Sequence, residues 1–212
     1  MPHQTLVGHA PIDPSSARPA PFRGPFTELF RWLSLAYLKV SGWRLAGDWP
    51  AAEKVVVIAA PHTSNWDGIN MLAAAGGYRA RLSWMGKKSL TTGPFGGLVK
   101  WAGCVPVDRS SPQNMVQDMT EAFASRDRLN LAVPPEGTRS EVSQWKSGFY
   151  RIAQAANVPL LVTVLDYKSK TMRLAALVTP QGDYDAELPA IMAYYNGSGG
   201  KFPELSPWIG TL

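Results

Sequence analysis

Cysteine occurs once in the 212 residues. An intrachain disulfide and a cysteine metal cluster are therefore excluded, and a reducing compartment is the simpler expectation. Cys104 sits in WAGCVPVD, an apolar context that predicts a small buried hydrophobe rather than a reactive thiol. Long apolar runs are also missing. No stretch reaches 18 such residues, so no helix is expected to span a bilayer outright. Residues 1–25 are rich in Pro, Ala and Ser and lack the apolar segment of a secretory signal, so the sequon at Asn196 carries little weight. Charged residues make up 17 % of the chain, slightly few for a globular protein. They are scattered, without the tight Lys/Arg run of nucleic-acid binders, and no nucleic acid is expected as a partner.

What is present suits one domain with a sizeable core: 45 % apolar residues in a chain of this length. The net charge is +5 and the pI about 9.4. That balance favours anionic partners such as an anionic membrane or an acidic substrate. Eight tryptophans are many. They suit a core, and equally a surface where one end is greasy and the other wet.

Five prolines among residues 1–24 forbid a helix and predict an extended arm. The stretch 25–41, PFTELFRWLSLAYLKVS, then reads as a helix. Pro25 suits its first turn and Gly42 its stop. Phe26, Leu29, Phe30, Leu33, Tyr37 and Val40 recur at helical spacing, and Trp32, Leu35, Ala36 and Leu38 extend the apolar surface around most of the girth. Such a helix is packed on its own domain or lies on lipid.

From residue 53 strand-like and helix-like stretches alternate. Strands are expected at 53–60, 81–87, 104–108, 128–135, 159–167 and 171–179, the last two around a turn. Helices are expected at 66–77, 93–103, 112–125, 146–157 and 184–197, the last interrupted by Pro189 so that it starts later. This order predicts crossover units. The expected fold is α/β: a largely parallel central sheet flanked by helices in three layers, preceded by an N-terminal membrane-associating helix. The expected division is an arm (1–24), the first helix (25–45), an α/β domain (46–197) and a tail (198–212).

In open α/β sheets, sites form outside the carboxyl ends of the strands. His62 follows one strand, Asp108 and Arg109 another, and PPEGTRS (134–140) a third. Parallel strands would gather His62, Asp67, Asp108, Arg109, Glu136 and Arg139 along one rim. Two readings of His62 and Asp67 stay open. Ser64-Asn65-Trp66-Asp67 has the form of a capping box, which is the better reading on local grounds. Alternatively, a tight turn brings Asp67 beside the imidazole, where it holds the tautomer while the other ring nitrogen takes a proton.

His62-Thr63-Ser64-Asn65-Trp66-Asp67, Gly103 to Arg109, Pro135-Glu136-Gly137-Thr138-Arg139-Ser140 and Val158 to Val162 stand in register with four sequence blocks of a known family. The chain resembles the glycerolipid acyltransferases of the His-x4-Asp type, typified by bacterial 1-acylglycerol-3-phosphate (lysophospholipid) acyltransferases, from about residue 50 to 165. The resemblance implies O-acyl transfer from acyl-CoA or acyl-carrier protein to a lysophospholipid hydroxyl, with no cofactor and no metal. His62 would be the general base and Asp67 its orienter. Arg109, Glu136, Gly137, Thr138 and Arg139 would meet the acceptor phosphate, with Lys87 and Lys146 as further candidates. Backbone N–H groups at 64–67 are candidate oxyanion donors. Ser64 as a nucleophile is the runner-up mechanism.

Three departures bear on the acceptor. Pro61 stands where the family often has Asn, Ser89 replaces the glutamate of Lys-x-Glu-Leu, and Val162 replaces a second proline. An altered headgroup pocket would suit another lysophospholipid or an aminolipid. A non-catalytic lipid-binding module is the other alternative. Lipid substrates also imply a membrane partner. Trp32, Trp43 and Trp49 with Arg31, Lys39 and Arg44 would seat a peripheral or monotopic enzyme on the cytoplasmic side of the membrane.

Overall fold

The apolar run KVVVIAA forms strand β3 (Lys54–Ala60), and from Val55 onward none of its residues is more than 6 % exposed. A strand without in–out alternation requires cover on both faces. The surrounding architecture provides it. The structure, a computed structural model, describes residues 9–10, 26–107 and 111–209.

In chain order the elements are β1 (His9–Ala10), α1 (Thr27–Ser41), β2 (Arg44–Ala46), β3, α2 (Asn65–Gly77), β4 (Leu82–Lys87), α3 (Gly96–Trp101), β5 (Cys104–Val107), α4 (Pro112–Ala124), β6 (Leu129–Val133), α5 (Gly148–Ala156), β7 (Leu160–Asp166), β8 (Thr171–Val178) and α6 (Tyr184–Met192). The sheet order is β1-β8-β7-β3-β6-β4-β5, with β2 also paired to β8. The five strands from β7 to β5 are mutually parallel. Strand β8 returns antiparallel along β7 through the short turn at 167–170. The carboxyl ends of β3, β4, β5, β6 and β7 therefore open on one rim.

Alternate residues of β3 feed two cores. Val56, Ile58 and Ala60 join Phe123 of α4, Phe149 and Ile152 of α5, and Ile191 of α6. Val55, Val57 and Ala59 join Leu38 of α1, Met71 and Ala74 of α2, and Trp43 and Trp49. The result is three layers, as expected. Helix α1 packs on α2 through Thr27, Ser34 and Leu38. The approach is close: a Cβ added to Gly76 would lie 2.1 Å from Ser34 Oγ, so only glycine fits there.

Several expectations need correction. The outward face of α1 carries Leu29, Trp32, Leu33 and Val40, exposed by 58 %, 65 %, 61 % and 89 %, so the periodic apolar stripe is split between core and surface. Trp43 and Trp49 are core residues rather than surface anchors. Helix α6 starts at Tyr184, capped by Asp183, which accepts from the Ala186 N–H at 3.1 Å; Pro189 lies within it instead of delaying its start. Within the expected tail, Trp208 is 2 % exposed and belongs to the core. Of the expected arm, only residues 9–10 are described, and they pair antiparallel with β8. Cys104 is buried, as expected. Among the described residues no helix is long and apolar enough to cross a membrane.

Candidate active site

Chain direction changes abruptly after β3, and two side chains control the turn. Ser64 adopts extended geometry as the N-cap of α2, and its Oγ accepts from the Trp66 N–H at 2.9 Å. Asp67 reaches back, and its Oδ2 accepts from the N–H groups of Thr63 and Ser64, each at 2.7 Å. This is the capping box, complete. The same Oδ2 lies 3.4 Å from His62 Nδ1. The two local readings are therefore compatible: the cap fixes the carboxylate, and the fixed carboxylate faces the ring. The distance slightly exceeds a full hydrogen bond, as is common for catalytic pairs before substrate fills the site.

Asp67 is 1 % exposed. Burial alone would push its carboxyl up. Hydrogen bonds from His62, Tyr167 and Ser64 outweigh that and hold it below the ordinary aspartate range, so it stays a carboxylate. The Tyr167 hydroxyl donates to Asp67 Oδ1 at 2.6 Å. Burial first, and then this bond to the carboxylate, raise the Tyr167 hydroxyl well above its ordinary value. The tyrosine therefore acts as a donor.

The His62 side chain is 22 % exposed and lines a cavity of about 2070 Å³. With Nδ1 on Asp67, Nε2 is the nitrogen left for a substrate. Its lining includes apolar side chains, among them Met71, Leu72, Leu82, Trp84 and Val116, and the cations Arg139, Lys146 and Arg151. The volume exceeds the roughly 300–1,000 Å³ of an ordinary small-molecule pocket, and a lining with both kinds of side chain suits an amphiphile carrying an anion.

A family model for acyltransferases matches residues 45–165, more than half of the chain. The chain belongs to the acyltransferase family. The crystal structure of the 1-acyl-sn-glycerophosphate acyltransferase PlsC from Thermotoga maritima is similar in fold, with a TM-score of 0.57 at 17 % identity over 79 % of this chain and 75 % of that one. Comparison with curated proteins returns no match. The matched span runs from before β3 to Leu165 of β7 and includes His62, Asp67 and Arg139.

The loop after β6 places the next group. Gly137 donates its N–H to Pro134 O, and Lys146 donates its N–H to Pro135 O. Gly137 has φ +67°, and an added Cβ would lie 3.1 Å from Lys146 Cδ, so the turn requires glycine. The Thr138 hydroxyl accepts from the Ser140 N–H at 3.2 Å. Arg139 donates to Asn65 Oδ1 at the first turn of α2, which brings a guanidinium to the helix carrying Asp67. Gly137, Thr138, Arg139 and Lys146 all line the cavity with His62.

Two other sequence candidates, Glu136 and Lys87, do not line the cavity. Glu136, expected at the acceptor, points inward: it is 1 % exposed and its Oε1 accepts from the His62 backbone N–H at 3.1 Å. Lys87 is exposed and does not line the cavity. Arg109 and Asp108 lie outside the described residues. Ser64 is 6 % exposed and occupied as a cap, a poor position for a nucleophile. Of the proposed oxyanion donors, the N–H groups of Ser64, Trp66 and Asp67 are taken by Asp67 Oδ2, Ser64 Oγ and Ser64 O.

Glu136 has a measurable signature. Its Oε2 has no hydrogen-bond partner among the described residues, which a neutral acid tolerates far better than a carboxylate. Burial pushes the carboxyl up to about 7, despite opposing backbone hydrogen bonds. The folded protein thus keeps a proton that the unfolded chain releases near pH 4.5. Stability attributable to this group should fall as pH rises from about 4.5 to about 7, by at most about 3 kcal/mol. Glu136→Gln keeps the acceptor for His62 N–H and cannot ionise. Its melting temperature, relative to wild type, should be more favourable at pH 8 than at pH 5. A difference that does not change with pH would show that Glu136 is ionised throughout.

Proposed function

We propose that the protein moves a fatty acyl group from acyl-CoA or acyl-carrier protein to a hydroxyl of a lysophospholipid such as 1-acylglycerol-3-phosphate. The observation that carries this is the His62–Asp67 pair: Nδ1 stands 3.4 Å from a buried carboxylate, while the ring borders a cavity lined by both apolar and cationic side chains. His62 Nε2 takes the proton of the acceptor hydroxyl as its oxygen attacks the thioester carbonyl carbon. The C–S bond then breaks, and the departing thiolate takes the proton from the imidazolium. Asp67 holds the tautomer and stabilises the imidazolium. No acyl-enzyme is involved, consistent with Ser64 being committed as a cap. The reaction needs no cofactor beyond the thioester.

Arg139 is the principal phosphate ligand, because its fork matches two phosphate oxygens; Lys146 adds a point charge. The Gly137–Thr138 turn sets their spacing. Arg139→Ala should raise the acceptor KM by roughly 10- to 100-fold and leave the donor KM within about twofold. Steady-state kinetics with each substrate varied in turn would check this, and an unchanged acceptor KM would remove Arg139 from the headgroup pocket.

The α1 face of Leu29, Trp32, Leu33 and Val40, with Trp66 and Ile69 of α2 and Phe95 and Leu98 at α3, is the side we assign to the membrane. Exposed apolar side chains at helical spacing enter the headgroup boundary, and Lys39 and the +5 charge favour an anionic leaflet. A peripheral or monotopic position on the cytoplasmic side follows. Mass spectrometry of lipid products tests the function directly. Purified protein is offered a panel of lysophospholipids and aminolipids with acyl-CoA or acyl-carrier protein. New acylated product from an anionic lysophospholipid is expected; product from the aminolipids alone would change the acceptor, and no product with any pair would favour a non-catalytic lipid-binding module.

A further inference from the structure

Asp67 Oδ1 is held by a chain of side chains that leads away from the cavity. The Tyr167 hydroxyl donates to Oδ1 at 2.6 Å. Asn70 Nδ2 donates to the Tyr167 oxygen at 3.1 Å. The Tyr37 hydroxyl donates to Asn70 Oδ1 at 2.9 Å. Every donor points toward the carboxylate, and the set is self-consistent. The Tyr167 proton is spent on Asp67, so its oxygen must accept from the amide nitrogen, which leaves the amide oxygen for Tyr37. Bonds aligned in this way polarise one another.

The three residues come from separate elements. Tyr167 follows β7, the parallel neighbour of β3, and so emerges on the rim that carries His62. Its backbone N–H is tied to Gly199 O at 2.9 Å, and its ring stands edge-on to Trp43 at 4.9 Å. Asn70 is 3 % exposed on α2. Tyr37 belongs to α1, on the flank between the buried face of Ser34 and Leu38 and the exposed face of Leu29, Trp32, Leu33 and Val40. Apart from Tyr167, the partner of Oδ1 among the described residues is Ser64 Oγ, at 3.4 Å.

We propose that Tyr167 is a positioning residue for the His62–Asp67 pair, and that Asn70 and Tyr37 extend its hold to α1, so that the seating of the surface helix sets the orientation of the carboxylate. This rests on the general-base reading given above. With Oδ1 anchored, Oδ2 stays aimed at His62 Nδ1. Without the anchor, a buried carboxylate oxygen loses its strongest partner and the side chain is free to turn.

The test uses Tyr167→Phe, which keeps the ring against Trp43. Its kcat should fall about 10- to 100-fold, with both KM values within twofold, and the melting temperature should fall by a few degrees because a buried carboxylate oxygen loses a donor. In an Asp67→Asn background the same change should have little further effect, since the two residues act as one unit. Tyr37→Phe should lower kcat by a smaller factor, and that factor should vanish when Tyr167 is already Phe. A purely structural tyrosine would instead lower stability and leave the kcat of the folded protein at the wild-type value. Wild-type kcat in Tyr167→Phe, alongside an inactive His62→Ala, would overturn the proposal and leave the general-base reading intact. Activity surviving in His62→Ala would overturn the general-base reading itself. An effect of Tyr37→Phe that adds fully to that of Tyr167→Phe would sever the link to α1.

Discussion

His62→Ala should lose acyl transfer by about 10²- to 10⁴-fold in kcat while remaining folded. The loss is large on the proposed function, in which the acceptor is an alcohol, hardly ionised at neutral pH, and a nearby nitrogen takes its proton as the oxygen attacks. In the cavity wall the imidazole is the group placed for that, with its other nitrogen directed at a carboxylate. Folding should survive because the ring is partly exposed and the structural contact at this position belongs to the backbone. The His62 N–H donates to Glu136 Oε1, and alanine has the same N–H. Asp67 likewise keeps the N–H groups of Thr63 and Ser64 and the Tyr167 hydroxyl. Thiol release from the donor and mass spectrometry of the acylated acceptor measure the effect. Vesicle co-sedimentation should be unchanged, because the apolar face of α1 is untouched. Thioester-dependent acylation at the wild-type rate would mean that another group is the base.

The elements that position this site were legible because their signals are local. KVVVIAA could only be a strand covered on both sides, and the alternation after it implied parallel strands with a shared carboxyl rim. That rim correctly gathers His62, Asp67 and Arg139. The direction of a side chain within a turn is not local, and Glu136 shows the consequence. As a charged residue between proline and glycine it reads as solvent-facing, but Gly137 at φ +67° turns the chain so that Glu136 is directed under His62. The tryptophans show the same limit. Trp43 and Trp49 look like Trp32 in sequence, yet they fill the gap between the sheet and α1 and α2, and only the three-dimensional packing separates them.

Tyr167 is the instructive omission. Its position at the end of a strand adjacent to β3 is the same signal that selects His62, and the rim rule applied evenly would have found it. Asn70 and Tyr37 had no such signal. Asn70 reads as a polar residue in the middle of a helix, and Tyr37 as one member of an apolar stripe. Their link exists only because α1 crosses α2 closely enough to exclude a Cβ at Gly76.

Asp67→Asn separates the two roles of this carboxylate. The amide oxygen can still face Thr63 N–H, Ser64 N–H and His62 Nδ1, so the turn can keep its shape. The charge is lost, and so is one acceptor: the amide nitrogen would meet the Tyr167 hydroxyl, which must rotate its proton away. As a cap and first-turn anion, Asp67 contributes about 1–2 kcal/mol, which predicts a melting temperature lower by roughly 2–8 °C. In the proposed reaction it is the partner of an imidazolium and contributes far more to the rate, and kcat should fall on the order of 10²- to 10⁴-fold with KM values little changed. The two readouts are independent. A stability loss with wild-type kcat would make Asp67 only a helix cap, and His62 would act without an orienting anion. A rate loss of this size in a protein that melts only a few degrees lower would mean that the cap serves the chemistry, holding the carboxylate rigid so that its charge stays on the ring as the proton arrives.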